Sequence, residues 1–305
     1  MRVFIAGHIT LDEIVYAGKS VASLGGPPSY TGLVLSSLGA EVSLVSAVGD
    51  DFPAEYWNFL EEHLDMKYVA RVSGVKTTRF RLVYSGESRE LYLVSKCVDL
   101  TEVPAEVEYI HVSPVAQELP LSILERKYSF LSLDPQGYLR KFGEDGRVML
   151  YSNKELLDKL HNVNHLRISL NEAEVLLGEA WPKYFAKLSE EHKVMVSLGL
   201  GAKGVVVFSE GNLYYVPPYA TSAKQSTGAG DAYAGGFLQA YLSEEDPVWA
   251  AAVGSATASL IVEKPGPSLV DKKEVEVRAS ELYLKHCTLS SIEEVFELIE
   301  RAKET

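Results

Sequence analysis

The chain has 305 residues, enough for one large domain with a small appendage and too few for two full-sized enzymes. Hydrophobic residues make up 47% and charged residues 23%, ordinary globular usage that excludes wholesale disorder and collagen-like or coiled-coil architectures. Lys plus Arg is 29 against 42 Asp plus Glu, a formal charge of −13; such a surface repels phosphodiester backbones and anionic lipid, so no nucleic-acid or membrane partner is expected.

Short β-branched runs alternate with amphipathic stretches for most of the length. Residues 3–6 read as a buried strand, apolar for too few positions before His8, Asp12 and Glu13 to be a signal peptide. The spacing predicts further strands over residues 41–48, 109–112, 130–133, 166–170 and 194–198. Helices are predicted over 30–38, 54–64, 121–127, 154–160, 172–177 and 184–191. This alternation implies βαβ units, a mostly parallel sheet and helices on both faces, with ligands beyond the carboxyl ends of the strands.

Two stretches break the pattern. Residues 78–84 and 90–95 flank a polar turn at Ser85, Gly86, Glu87 and Ser88 and read as a hairpin, and residues 12–23 supply a second strand pair around Gly18. They predict a small β lid at about 12–23 and 78–96 on a single domain spanning 1–305. After Gly204 come strands over 205–208 and 213–216, then a helix from near Gly228. Residues 247–262 are rich in Ala, Gly and Ser, which allows close approach to another helix or to a flat ligand. Residues 293–300 read as the charged side of an amphipathic surface helix. No run of about 18 uncharged apolar residues occurs. Cys97 and Cys287 form neither a disulfide framework nor a metal pair, so a cytoplasmic protein is expected.

The strongest chemical signal is Thr227-Gly228-Ala229-Gly230-Asp231 at a helix start. Small residues leave the first N–H groups unshielded where the helix dipole places about half a positive charge, a cradle for phosphate or an oxyanion. Asp231 is then either a dipole partner or a general base for a substrate hydroxyl. Asn171 and Glu174 share one face of another helix start, as capping groups or as groups near phosphate and magnesium. Asp12 suits two adjacent hydroxyls, or a turn; Gly25 and Gly26 admit hydroxyls to the backbone, or make a tight turn. Gly199, Gly201 and Gly204 spell G-x-G-x-x-G, but a strand follows instead of a helix, which argues against dinucleotide binding. There is no P-loop string, and the seven His show no metal spacing.

In chain order, several motifs resemble those of the ribokinase-like (PfkB-type) carbohydrate kinases, over about residues 1–270. They are Gly7 with Asp12; Leu24-Gly25-Gly26-Pro27-Pro28-Ser29-Tyr30; Val48-Gly49-Asp50-Asp51; and Asn171-Glu172-Ala173-Glu174. Residues 199–204, 227–231 and Gly266-Pro267-Ser268 complete the set. The resemblance implies a three-layer α/β sandwich with a β lid, ATP as donor and Mg2+. It implies Asp231 as base, with Gly228, Ala229 and Gly230 as anion hole, and Asp12, Gly25 and Gly26 on the substrate. It implies Asn171, Gly199, Gly201, Gly204, Thr227, Gly228, Gly230, Val253 and Gly266 on ATP, and Glu174 toward magnesium through water.

Some positions depart from the family pattern. Tyr30 stands where many members carry a sugar-binding Asn, Gln225 where many carry a potassium-ligating Asp, and Gly199 where a Thr is usual. These changes put ribose recognition and the monovalent-cation site in question. The Gly-Gly-x-x-Ser-Tyr pattern, Thr77-Thr78-Arg79-Phe80 and residues 83–96 are similar, more loosely, to the family's myo-inositol kinases. That similarity adds Tyr30, Thr78, Lys96 and Gln136 as substrate contacts, although Lys96 equally suits a solvated strand. The expectation is an ATP-dependent polyol kinase, myo-inositol first, with a nucleoside, ribose or hexose kinase as the alternative. A non-catalytic sugar- or nucleotide-binding regulator is the reading outside that class. Exposed lid strands can pair between subunits, giving a homodimer, or lie under a helix.

Overall fold

Alternation along β1 (Arg2–Ala6) sets the layering: Val3 and Ile5 join the core on one face of the sheet, Phe4 and Ala6 the core on the other. The computed structural model describes residues 1–16, 18–85 and 88–303. After β1 come β2 (Thr10–Tyr16), β3 (Lys19–Gly25), α1 (Pro27–Ser37), β4 (Glu41–Gly49), α2 (Ala54–His63) and β5 (Asp65–Val72). Next are β6 (Arg79–Ser85), β7 (Ser88–Ser95), β8 (Tyr109–Val112), β9 (Phe130–Leu133) and a hairpin, β10 (Arg140–Phe142) with β11 (Val148–Leu150). They lead to α3 (Lys154–Leu157), β12 (His165–Ser169), α4 (Leu170–Leu177), α5 (Trp181–His192) and β13 (Met195–Gly199). The chain ends with β14 (Val205–Ser209), β15 (Asn212–Val216), α6 (Ala229–Glu244), α7 (Pro247–Ile261), α8 (Lys272–Lys285), β16 (Cys287–Leu289) and α9 (Ile292–Lys303).

The main sheet has the order β16-β15-β14-β13-β12-β9-β8-β1-β4-β5. Neighbours from β13 to β5 run parallel, and β14, β15 and β16 close one edge antiparallel. Helices α1, α6, α7 and α8 cover one face and α4, α5 and α9 the other. Because β1 pairs with β4 on one side and β8 on the other, the winding reverses beside it. Such a reversal opens a crevice at the carboxyl ends of the strands.

The two expected β excursions form a separate sheet, β3-β2-β6-β7; the turn at Gly86 and Glu87 lies outside the described residues. Its β7 edge is held by the β10–β11 hairpin: the Leu93 amide donates to Gly146 at 2.8 Å, and Arg147 pairs with Glu90 at 2.7 Å. The small residues of α7 receive a helix. A Cβ on Gly254 would stand 2.8 Å from Tyr233, one on Gly236 would stand 2.9 Å from the Val253 carbonyl, and Thr257 donates to the Ala232 carbonyl at 2.9 Å.

Some local expectations differ. Residues 121–127 make only a 3-10 turn, Leu121–Glu125, because Arg126 is extended and its guanidinium reaches the Val103 and Pro104 carbonyls. The helix expected over 154–160 stops at Leu157 and gives way to a second 3-10 turn, Leu160–Asn162. Strand β5 was not among the expected strands; of its eight residues it buries Met66 and Val69.

Glu118, 1% exposed, ties the end of β1 to the loop after β8 by accepting from the amides of His8 (2.8 Å), Val115 (3.0 Å) and Ala116 (2.7 Å). Glu118→Ala leaves these buried donors without a partner at roughly 1–3 kcal/mol each. The variant is expected to unfold at a clearly lower urea midpoint with an unchanged slope, as read by circular dichroism.

Candidate active site

Helix α6 begins at the crevice. Its N-cap is Gly228, in the left-handed region at φ 82°, and no side chain caps the helix. Only glycine fits there, since a Cβ would also collide with the Tyr30 ring packed against it. A Cβ on Gly230 would collide with the Arg167 guanidinium in the same way. The Ala229 amide donates to the Ser226 carbonyl at 3.3 Å, while Gly228 and Gly230 line the crevice at the end of the helix that carries its partial positive charge.

Asp231 lies in that first turn. Its backbone carbonyl accepts from Thr31 at 2.9 Å, and its Oδ1 accepts from Gln136 at 3.3 Å. Burial pushes its carboxyl up to about 7; Asp134 adds to the rise, and Arg167, Arg140 and the Gln136 bond oppose it. Gln136 also accepts from Arg140 at 2.8 Å. Arg140 stands over the Phe80 ring, 5.3 Å from its centre.

A cavity of about 250 Å³ joins these groups. On one side Asp12 accepts from Thr10 at 2.8 Å and from the Phe80 amide, and burial lifts its carboxyl to about 6. Phe80, Leu82, Leu91 and Val115 make an apolar wall; at the far end stand Arg167, Ser169, Glu172, Thr227 and Gly228. Tyr84 on β6 meets the Thr227 hydroxyl at 3.1 Å, so the small sheet touches the loop that starts α6. A larger hollow of about 510 Å³, between the end of α7 and α8, contains none of these groups.

One family description matches residues 6–273, "pfkB family carbohydrate kinase". The chain belongs to the pfkB family of carbohydrate kinases. It is 28% identical to the cytidine kinase of Thermococcus kodakarensis over 260 residues, covering 79% of this chain and 88% of that one. It is also 28% identical to the inositol 3-kinase of Arabidopsis thaliana over 310 residues, 95% of this chain and 82% of that one. Among solved structures, a pyrophosphate-dependent kinase of the ribokinase family with a pyrophosphate analogue and myo-inositol superposes with a TM-score of 0.77. There the identity is 24%, over 90% of this chain and 99% of that one. The architecture is the ribokinase-like α/β sandwich.

Of the residues expected at a pfkB site, Asp12, Gly26, Tyr30, Gln136, Thr227, Gly228, Gly230 and Asp231 line one cavity, and Ala229 sits between them on α6. Gly25 is packed so closely on the Asp12 carboxylate that a Cβ there would collide with it. Tyr30 and Gln225, two of the three departures from the pfkB pattern, meet side chain to side chain.

Thr78 is not brought to the cavity. It is fully buried, its hydroxyl meeting His8 Nδ1 at 2.7 Å and accepting from the Cys97 amide at 2.9 Å. Lys96 pairs with Asp99 beyond the end of β7, and Val253 lies in the α6–α7 contact at 5% exposure. Asn171 is exposed, and Glu174 lies one turn into α4, whose N-cap is Ser169 in a capping box with Glu172. Gly199, Gly201 and Gly204 form the turn between β13 and β14, and Gly266 is buried beside Ser23 of β3. Sequence reasoning missed Arg140, Asp134 and Arg167. For Arg167 a signal existed: a charged residue amid the apolar run of a central strand.

The raised Asp231 carboxyl has a stability consequence. Its proton is held more tightly in the folded chain, so its contribution is fully present below about pH 4 and is lost as the pH rises through about 7. Asp231→Asn cannot ionise. It is expected to melt higher than the wild type at about pH 8, with the gap closing toward about pH 4 in differential scanning fluorimetry.

Proposed function

We propose that this pfkB kinase transfers the γ-phosphoryl group of ATP to a hydroxyl of a small polyol, myo-inositol first. One observation carries the reading: Asp231, poised near neutrality, shares a cavity with the uncapped start of α6 and with Asp12. Asp12 and Gln136 orient the acceptor through its hydroxyls. Asp231 takes the proton of the attacking hydroxyl as the oxygen bonds to phosphorus, and the donor's bridging oxygen leaves on ADP. The amides at Gly228, Ala229 and Gly230 bear the charge on the transferred group.

Among the described residues no group of three or more His, Cys, Asp or Glu could hold a metal. Mg2+ needs no such cluster, since it binds through one or two carboxylates, water and the substrate's phosphates. Glu174, through water, is the residue we assign to it; the ion would neutralise phosphate charge. Asn171, Gly199, Gly201, Gly204, Thr227 and Gly266 stand toward the nucleotide in this reading.

The small sheet acts as a lid, its Phe80, Leu82 and Leu91 excluding water that would compete as acceptor. Its β3 edge, with Val21 64% exposed, is where a second copy would pair in a homodimer. The free thiols of Cys97 and Cys287 suit the cytoplasm, where ATP is at hand. A nucleoside acceptor is the second reading, favoured by the planar Phe80 wall beneath Arg140 and by the similarity to a cytidine kinase. The cavity's size argues for the smaller polyol, since drug-sized ligands occupy roughly 300–1,000 Å³.

ADP release over a panel of inositol, ribose, hexoses and nucleosides decides between them, with Asp231→Ala as the blank. Myo-inositol is expected to give the highest kcat/KM, and Asp231→Ala to lose on the order of 10²–10⁴ in turnover while remaining folded. The acid limb of wild-type kcat is expected near pH 7 and not near 4, following the Asp231 carboxyl. Wild-type turnover by Asp231→Ala would remove Asp231 from the base role.

A further inference from the structure

Arg167 is the middle residue of β12, flanked by Leu166 and Ile168, both fully buried. A cation at such a position costs several kcal/mol unless it is paired. Its partner is Asp134, just beyond β9: Nη1 donates to Oδ2 at 3.0 Å, with the Asp134 side chain fully buried and that of Arg167 19% exposed. The other Asp134 oxygen accepts from the Gln136 amide at 3.1 Å. Asp134 is thus spent on holding the guanidinium and the turn that presents Gln136.

The opposite edge of the guanidinium does something an ion pair does not require. The guanidinium lies against Gly230, the second residue of α6, with Nη2 nearest, and Nη2 would stand 3.8 Å from a Cβ on Gly199. Arg167 lines the cavity beside Gly228, Gly230 and Asp231. A cation placed on the positive end of a helix dipole is electrostatically the wrong way round. Two positive features facing one space become favourable when an anion lies between them. Burial works against the charge of Arg167, but Asp134, Glu172 and Asp231 outweigh it and hold the group above its ordinary range.

We propose that Arg167 is a catalytic residue: its Nη2 edge binds the phosphoryl group in flight, beside the amides at Gly228 and Gly230. The proposal rests on the kinase reading above. In the step the acceptor oxygen forms a bond to phosphorus while the bond from phosphorus to the donor's bridging oxygen breaks. The bridging oxygen keeps the electron pair on the departing nucleoside diphosphate, and the acceptor's proton passes to Asp231. Arg167 neither gives nor takes a proton; it neutralises charge on the equatorial oxygens, and its planar fork matches them where a Lys ammonium would not. The second glycine of Gly-Ala-Gly-Asp is then required here to seat the guanidinium.

The full chain serves for the test, as Arg167→Met and Arg167→Lys. Because Arg167→Met strands the buried Asp134 carboxylate, Asp134→Asn/Arg167→Met accompanies it and keeps the comparison open if the single variant melts early. Turnover is expected to fall roughly 10³-fold in the Met variants and at least about tenfold in Arg167→Lys, with acceptor KM changed much less. The acid limb of kcat is expected to move to higher pH in Arg167→Met, because Asp231 loses a neighbouring cation. Free methylguanidine is expected to restore part of the turnover. A merely structural ion pair would move the melting temperature and, through its charge, the acid limb, but it would give no rescue by methylguanidine.

Calorimetric titration with inorganic pyrophosphate needs no turnover and reads the phosphate contact separately. Its affinity is expected to fall about tenfold or more without the guanidinium. If the wild type phosphorylates its acceptor and a folded Met variant keeps turnover within about threefold, the Arg167 assignment is overturned and the kinase reading stands. If the wild type phosphorylates nothing but pyrophosphate binding needs Arg167, the kinase reading has failed and the phosphate contact survives.

Discussion

A helix that starts without a capping side chain leaves amide donors in need of a negative partner; here the Ser226 carbonyl takes that of Ala229, and packing keeps side chains from capping the rest. Tyr30 presses on the left-handed Gly228, Arg167 presses on Gly230, and the body of α6 is fastened to α7 through Gly236, Gly254 and Thr257. None of these contacts tolerates a Cβ at the glycine concerned. The start of α6 is consequently held, without a capping side chain, at the parallel sheet beside Arg167 of β12 and Gln136 just beyond β9. The small sheet, the Gln136 turn and the Asp12 carboxylate are all arranged around that opening.

The electrostatics follow from removing water. The charge that matters is local to the cavity, where Arg140 and Arg167 stand among Asp12, Glu172 and Asp231, with Asp134 paired to Arg167. Burial outweighs the cations at Asp231 and Asp12, and both carboxyls rise toward neutrality. Beneath the site runs a buried polar chain: His111 to Ser132 at 2.9 Å, Ser132 to His165 at 2.9 Å, His165 to Ser197 at 3.0 Å, and Tyr233 donating to Ser197 at 2.9 Å. Burial holds both histidines neutral, and Arg167 works in the same direction. His165 stacks on Phe237 of α6 at 4.0 Å, so this uncharged strut supports the helix without adding a buried charge beneath it.

Local chemistry made much of this legible. The βαβ rhythm, the hairpin pair and the Gly-Ala-Gly-Asp helix start are short-range patterns with mechanisms of their own, and the sheet, the small sheet and α6 lie where those patterns put them. Where they failed, a distant partner had intervened. The helix expected over 121–127 lost its last turn to Arg126, whose guanidinium is drawn to carbonyls more than twenty residues earlier in the chain. Thr78 had the right residue type for a substrate contact, but its hydroxyl is taken by His8, 70 residues away. Val253 suited a flat ligand as well as a helix, and a helix occupies that face.

From its residues alone, the chain determined that a parallel α/β sheet would form and that one helix would begin with exposed amides followed by an acid. Both depend on period, on residue size and on the dipole of a few successive peptide units. Which charged groups would meet at those amides was decided by tertiary structure. Asp134, Arg140 and Arg167 lie on different segments and acquire a common purpose only when β9 and β12 become neighbours. Strand pairing at that distance obeys the whole core, and no window of sequence around Arg167 contains the aspartate that holds it or the glycine on which it rests.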